Sequence, residues 1–396
     1  MIRRSFLGVL MLLSTSLMAE STDSATSSSS LLATLNIDTK AEQALLIDHY
    51  TGTILLEKNA DAPMYPSSMT KIMTAYMIFE RLKKGVITLE QPMTVSKKAW
   101  KTEGSKMFIE VNSQVSVNDL LHGLIIQSGN DACVALAEGV SGSEEVFAAE
   151  MTERARALGA TNTTFKNSHG LTDPDHKTTA RDLLQIARHV IDDYPEYYTL
   201  FGKQEYTYNN INQQNRNPLL YKNIGCDGLK TGFTEAGKYG LVASAKEIDS
   251  NGNEKRFDLV INGLPSNNIR AQEATKLMTW AMRNFASLVI YKKGQIVEEA
   301  ALVSAGEENT VPLVSAVDCR ITVPLVAKGD VKVTLNYDHS LQAPLSKDQV
   351  VGTIVVTAPT LKQPLEYPLI VEKDVAKAGI FRRIKNSISH LIGLRS

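Results

Sequence analysis

Residues 44–57 read ALLIDHYTGTILLE, two β-prone runs around a turn at Tyr50-Thr51-Gly52, the pattern of a hairpin. Beyond Pro63 and Pro66 the period changes. Met69, Ile72, Met73, Tyr76 and Phe79 recur at about 3.6-residue spacing and predict a helix. Further helices are expected over 117–127, 131–138, 144–158, 179–192 and 269–285. Strand patterns return only at 240–245 (GLVASA) and 257–262 (FDLVIN). Strands at both ends with helices between them imply an α+β domain whose ends pair in one sheet.

The chain has 396 residues, more than one ordinary domain needs. After Leu288 the segments 295–297, 320–323, 331–335 and 352–357 are short, β-branched and separated by Gly, Pro and Asp. That reads as a small all-β domain over 289–372, following a first domain over 37–288. The formal net charge of -1 argues against a general nucleic-acid binder, which needs a basic surface to displace counterions. The three cysteines, Cys133, Cys226 and Cys319, build neither a disulfide framework nor a CxxC zinc site. Cys133 reads as a small buried apolar residue. No metal or cofactor is expected.

Both ends carry their own signals. Arg3 and Arg4 precede a mostly apolar run, Leu7 to Leu17, too short to span a bilayer, with a plausible cleavage point after Ala19. Residues 1–19 thus read as an export signal, and 20–36 as a Ser/Thr-rich linker. At the other end, 373–396, the residues Ile380, Phe381, Ile384, Ile388, Leu391 and Ile392 fall on one helical face. Lys377, Arg382, Arg383, Lys385 and Arg395 are interleaved. Such a helix suits the interface of an anionic membrane; the plainer reading docks it on its own β domain.

Three short motifs carry chemistry. Ser68-Met-Thr-Lys71 opens the predicted helix, so the Lys71 amine shares a face with the Ser68 hydroxyl. A helix N-terminus and burial both oppose the ammonium form, and a neutral lysine is the base that such a serine needs. The bland alternative is an N-capping serine and a surface lysine. Ser128-Gly-Asn130 lies between two predicted helices after the apolar Leu124-Ile-Ile126. Ser116-Val-Asn118 and Ser266-Asn-Asn268 have the same spacing but read as helix caps. Lys230-Thr-Gly232 stands ahead of the strand near Gly240, where glycine permits close approach and Lys and Thr suit a carboxylate.

The order Ser-x-x-Lys, Ser-x-Asn, Lys-Thr-Gly is close to the set shared by penicillin-binding proteins and class A β-lactamases, with Ser128-Gly-Asn130 in place of Ser-Asp-Asn. With Pro66-Ser-Ser-Met-Thr-Lys71, Ser128-Gly-Asn-Asp-Ala132, His169-Gly-Leu171, Ala180-Arg-Asp182, Asn215-Arg-Asn217 and Asp227-Gly-Leu-Lys-Thr-Gly232, the resemblance narrows. The chain resembles the low-molecular-mass D-alanyl-D-alanine carboxypeptidases of the penicillin-binding protein 5 type. The resemblance spans roughly residues 40–290, and the β-rich region and basic tail fit the rest. It implies a serine β-lactamase/DD-peptidase-like α+β domain, followed by a small all-β domain and an amphipathic anchor. It also implies removal of the terminal D-alanine of peptidoglycan stem peptides, acylation by β-lactam inhibitors, and a periplasmic site on the outer face of the cytoplasmic membrane.

On that resemblance Ser68 is the nucleophile, Lys71 its base, Ser128 the relay to the departing D-alanine, and Lys230 the group that polarises and orients it. Backbone amides of Ser68 and Phe233 form the oxyanion hole. Asn130 holds the substrate amide, Thr231 and Gly232 face its carboxylate, and Arg216 adds positive charge there or braces Lys230. A loop over 169–182, with His169 and Asp182 as supports, would close through an Asp182–Arg216 ion pair. Alternatively, Asp182 forms a capping box with Thr179.

Rival readings are a β-lactamase, a DD-endopeptidase, a metallopeptidase using His169, Asp173 and His176, and an inactive wall-binding protein. Segment 169–182 lacks the glutamate that class A β-lactamases use for deacylation. The two histidines lack the HExxH geometry, and the long C-terminal region disfavours an endopeptidase.

Overall fold

The computed structural model describes residues 35–250, 252–361 and 363–379. The expected export signal, nearly all of the linker, and the anchor residues from Ile380 to Ile392 lie outside the described residues. Residues 373–379, expected in the anchoring helix, instead bridge to the β unit, Val375 with Leu345 and Lys377 with Gly306.

The first unit is built on a five-stranded antiparallel sheet. Strand Gln43–Asp48 turns back as Ile54–Lys58 and pairs on its other edge with Glu254–Leu264, followed by Lys238–Ile248 and Cys226–Thr234. The two ends of the domain therefore meet in one sheet, with Ala44 opposite Ile261. Alternation along these strands feeds two cores. Leu45, Ile47, Val242 and Val260 face the helical region, which includes Lys71–Lys83, Val117–Ile125, Asn130–Ser141 and Ala180–Asp193. Ala44, Leu46, Leu241, Ala243, Leu259 and Ile261 face the helix Asn267–Asn284. Each fully buried large side chain contributes roughly 1.5–3 kcal/mol.

Lys71–Lys83 is nearly all buried, from Lys71 to Phe79, so it runs through the core. Tyr76 and Phe79 pack on Tyr194, and Phe79 stacks on Tyr197 with centroids 5.2 Å apart. A helix buried all round cannot slide without breaking packing on several sides. It is a rigid base for whatever stands at its N-terminus.

The second unit contains a six-stranded sheet and the pair Phe285–Tyr291 with Cys319–Pro324, closed over one core that includes Val311, Leu313, Ile321, Val323, Ile354 and Leu369. Its seam with the first unit includes the turn of the opening hairpin and the strand Glu254–Leu264, where Arg320 Nη1 donates to the Glu254 carbonyl at 3.2 Å. Thr51 Oγ1 lies 2.6 Å from Thr322 Oγ1, and Arg320 sits over the Tyr50 ring at 4.1 Å.

A buried imidazole ties the helical region to the sheet. His49 Nδ1 is 2.6 Å from Asp258 and Nε2 is 2.9 Å from Asp192 on Ala180–Asp193. Burial alone would lower its pKa. The charge of Asp258 and the hydrogen bonds to both carboxylates outweigh burial and hold it at about 9. A pKa raised above the ordinary 6.5 stabilises the fold fully below that value, and the contribution disappears as pH rises through about 9. Screening at half-exposed Asp192 limits it to about 2 kcal/mol. Replacing His49 with Gln should therefore lower the melting temperature most near pH 6, and the gap to wild type should narrow at about pH 9.5 and above. Thermal melts across that range check it.

Candidate active site

The N-terminus of the buried helix is reached through a tight turn. Ser67–Thr70 forms a 3-10 turn before Lys71, and Ser67 has φ +50°. The Ser67 hydroxyl lies 2.9 Å from Thr234 Oγ1, which fastens the turn to the strand Cys226–Thr234. Thr70 is the N-cap of the following helix and makes no side-chain capping bond, so capping does not account for these hydroxyls.

Lys71 has no exposed surface. Its Nζ stands 3.2 Å from Ser68 Oγ, 2.7 Å from Asn130 Oδ1 and 2.7 Å from the carbonyl oxygen of His169. Burial, with Arg216 adding to it, pushes the amine down to about 8. Asn130 Oδ1 and the carbonyl can only accept, whereas a serine hydroxyl can donate. A neutral amine, with two N–H groups and one lone pair, therefore matches this triangle. Asn130 is committed at its other end too, where Nδ2 donates to the carbonyl of Glu103 at 2.6 Å.

Ser128 is buried, sits at φ +60° and, among the described residues, has no hydrogen-bond partner for its hydroxyl. Positive φ is unfavourable for serine, and such strain clusters at working sites. Ser116 and Ser266, which share the Ser-x-Asn spacing, are helix caps, accepting from the amides of Asp119 and Ile269. Ser116 and Ser266 are thus the caps that their context predicted.

Lys230-Thr-Gly232, expected ahead of the strand near Gly240, is itself in a strand. It lies inside Cys226–Thr234 and pairs register-true with Gly240–Val242. The pairing lays the strand directly on the 3-10 turn. A Cβ on Gly232 would meet the carbonyl oxygen of Pro66 at 2.9 Å. Lys230 is buried and donates to the carbonyl of Thr231 at 3.1 Å. Burial, then the charges of Lys71, Arg216 and Arg270, hold its pKa far below the usual lysine range.

Two hollows meet at Ser68. One, of about 460 Å³, is lined by Gly104, Ser105, Asn130, Leu171, Gln213 and Arg216, among others. The other, of about 440 Å³, is lined by Ser128, Thr231, Gly232, Tyr239, Asn267 and Arg270, among others. Ser68, Ser105, Arg216 and Phe233 line both. Arg216 Nη1 donates to Ser105 Oγ at 2.7 Å, and among the described residues it forms no ion pair. Arg270 reaches the carbonyls of Gly232 and Gly240 at 3.5 and 3.4 Å. Burial lowers its pKa to about 10. Cationic side chains thus converge on the second hollow, an arrangement that suits a carboxylate.

Sequence reading missed Ser105, Arg270, Asp131 and Glu144. Glu144 accepts from the amide and hydroxyl of Ser168 at 3.0 and 2.7 Å, and it pairs with His169 Nε2 at 3.2 Å. His169 Nδ1 accepts from the Leu171 amide, so its proton is on Nε2, and burial pushes the ring's pKa down. The expected Asp182–Arg216 pair is replaced by local contacts. Asp182 accepts from the amide of Asn162 at 2.7 Å and the hydroxyl of Thr163 at 2.8 Å, while Thr179 caps the Asp182 amide at 3.0 Å. Only one half of the capping box forms. His176 and His169 have both ring nitrogens engaged by protein groups; His176 bonds Thr70 Oγ1 and the Lys166 amide.

Gly170 gives a direct test of how the turn is held. It has φ +91°, and a Cβ there would fall 1.8 Å from the carbonyl oxygen of Ser67. Gly170→Ala must displace either the turn or the loop that supplies the Lys71 acceptor. A loss of about 2–4 kcal/mol in stability is expected, with slower modification of Ser68, measured by denaturant melts and acylation kinetics.

This geometry has close relatives. Residues 26–258 match the D-alanyl-D-alanine carboxypeptidase family, and residues 285–377 match the penicillin-binding protein 5 C-terminal domain. The Escherichia coli D-alanyl-D-alanine carboxypeptidase DacC is 40% identical over 354 residues, 86% of this chain and 85% of that one. The crystal structure of penicillin-binding protein 5 from Haemophilus influenzae superposes with a TM-score of 0.78 at 38% identity, covering 86% of this chain and 99% of the other. Penicillin-binding protein D2 from Listeria monocytogenes in its cefotaxime-bound form superposes with a TM-score of 0.55 at 26% identity, covering 62% of this chain and 98% of that one. The chain belongs to the D-alanyl-D-alanine carboxypeptidase family, as a penicillin-binding protein that carries the penicillin-binding protein 5 C-terminal domain.

Proposed function

We propose that this serine D-alanyl-D-alanine carboxypeptidase releases the terminal D-alanine of peptidoglycan pentapeptides through an acyl-enzyme on Ser68. The observation that carries the assignment is the fully buried Lys71 amine, held between Asn130 Oδ1, the His169 carbonyl and the Ser68 hydroxyl. With its two N–H groups occupied, the lone pair of the neutral amine faces Ser68. It takes the Ser68 proton as Oγ bonds to the carbonyl carbon of the scissile peptide. The amides of Ser68 and Phe233 receive the oxyanion. As the C–N bond breaks, the departing amine takes a proton relayed by Ser128, whose hydroxyl has no other partner among the described residues and lines the second hollow. Thr231, Gly232, Arg216 and Arg270 line the hollow that receives the terminal carboxylate, and Lys230, buried in the same strand, polarises and orients the departing group. Water then cleaves the ester and restores the Ser68 hydroxyl.

A β-lactam follows the same first half. Glu144 is too committed to serve as the deacylating base of a class A β-lactamase, because Ser168, His169 and Lys98 hold its carboxylate. A slowly hydrolysed adduct is therefore expected. Intact mass after brief exposure to penicillin should show one adduct on wild type and none on Ser68→Ala, and D-alanine release from a pentapeptide should vanish with it. An adduct that survives Ser68→Ala would sink the assignment.

The pH dependence has a fixed sign. Lys71 is a base only when neutral, and its amine sits at about 8. Acylation should accelerate about tenfold per pH unit below that value and level off above it. Stopped-flow acylation between pH 6 and 10 checks this.

We also propose export through residues 1–19 and peripheral anchoring through residues 380–396 on the outer face of the cytoplasmic membrane. The sequence of the tail supports it, with apolar residues at helical spacing and interleaved Arg382, Arg383 and Lys385. The full chain should co-sediment with anionic vesicles, and a chain ending at Gly379 should not; equal sedimentation of the two refutes the anchor.

A further inference from the structure

The first hollow does not end at Ser105. Its wall at Lys106 and Phe108 is shared with another hollow of about 640 Å³, lined by Trp100, Lys101, Lys106, Phe108, Ile109 and Glu110. Two aromatic side chains in this wall face solvent, Trp100 at 44% exposure and Phe108 at 52%. Exposed aromatics that line a cleft are what ring-shaped ligands with an apolar face stack on.

The dividing ridge is built rather than loose. Phe108 is at φ +64°, an outlier for a bulky residue. The carboxylate of Asp131 holds it there. That group is buried and accepts from the amides of Met107 and Phe108 at 3.0 Å and of Ile109 at 3.4 Å. Asn130, next to it, anchors the same segment through the carbonyls of Glu103 and Ser105. Lys106 Nζ donates to the carbonyl of Trp100 at 2.6 Å and closes the loop. The turn after Ser128 thereby fixes both the catalytic amide Asn130 and the aromatic ridge outside it.

The charge of the outer hollow is selective. Lys101 and Lys106 face one acid, Glu110, and among the described residues none of the three forms an ion pair. Nearby Lys98, by contrast, is neutralised by Glu144 and Glu145. Aromatic faces with uncompensated ammonium groups fit a ligand that is part ring and part anion. The substrate of the adjoining cavity has such an end, since a stem peptide is attached to a sugar and carries free carboxylates along its length.

We propose that the hollow between Trp100 and Phe108 is a remote subsite for the sugar-linked, anionic end of the stem peptide. The proposal rests on the reading of the Ser68 cavity as the carboxypeptidase site. Binding energy from this end is drawn on while the terminal D-alanine is cleaved, so it separates long substrates from short ones.

The test compares kcat/KM for a disaccharide pentapeptide with kcat/KM for a diacylated L-lysyl-D-alanyl-D-alanine, which has no sugar. Trp100→Ala should lower the long-to-short ratio about five- to tenfold, and Trp100→Tyr should restore it. Lys101→Glu should lower the ratio about threefold at low salt and less at high salt. Parallel loss on both substrates, or an unchanged ratio, overturns the subsite. Penicillin acylation is followed in the same samples. A missing adduct on wild type overturns the underlying carboxypeptidase site, whereas a normal adduct with an unchanged ratio overturns the subsite alone.

Discussion

Everything at this site depends on one amine kept out of water. An ammonium group with no exposed surface and no carboxylate in contact would cost several kcal/mol, so Lys71 gives up part of its basicity instead. That exchange needs two acceptors that cannot donate, and they come from distant places, Asn130 from the helix Asn130–Ser141 and the His169 carbonyl from a loop. Each acceptor has its own support. Glu103 holds the other end of Asn130, while Asn167 and Glu144 hold the backbone and ring around His169. The buried helix that carries Lys71 and the sheet behind it are the frame that keeps these pieces in register.

The same constraint explains the glycines and the strained serines around the turn. Ser67 and Ser128 both sit at positive φ, and both are pinned by neighbours rather than by their own preference. Ser67 is tied to Thr234, and Ser128 is followed by Gly129 and Asn130, whose amides bond the carbonyls of Gly123 and Ser105. Strain of about 1–3 kcal/mol at each residue persists only where surroundings over-determine the backbone. Gly170 and Gly232 let three segments approach within contact of one another, so that Ser68, Ser128 and Lys230 are neighbours in space while far apart in the chain.

Much of this was legible in the sequence. The hairpin at 44–57, the periodic helices and the return of strands at 240–262 gave the α+β sheet with joined ends, because alternation and the 3.6-residue period report burial directly. Three motifs of low individual specificity picked out Ser68, Lys71, Ser128 and Lys230 by their order, and the structure brings those residues together. What could not be read was anything set by packing between distant segments. Arg270 looked like one more polar residue on a helix, and only the fold turns it toward the carbonyls of Gly232 and Gly240. Asp131 beside Asn130 gave no sign that its carboxylate would gather the amides of residues 107–109. Arg216 was paired with the wrong partner because Asp182 satisfies itself locally, with Asn162 and Thr163.

The cost of assembling the site falls on the cations. Arg216 depresses Lys71, Lys230 and Arg270, and among the residues that line the second hollow, Arg216 and Arg270 face no carboxylate. The two guanidiniums, Arg216 and Arg270, at one low-dielectric hollow destabilise the free enzyme, and a ligand that carries the missing negative charge would relieve it. On the proposed reading, the carboxylate of a terminal D-alanine would supply it, and so would the carboxylate of a penicillin. On that reading, one electrostatic deficit would account both for recognition of the substrate at its end and for the antibiotic being taken in its place.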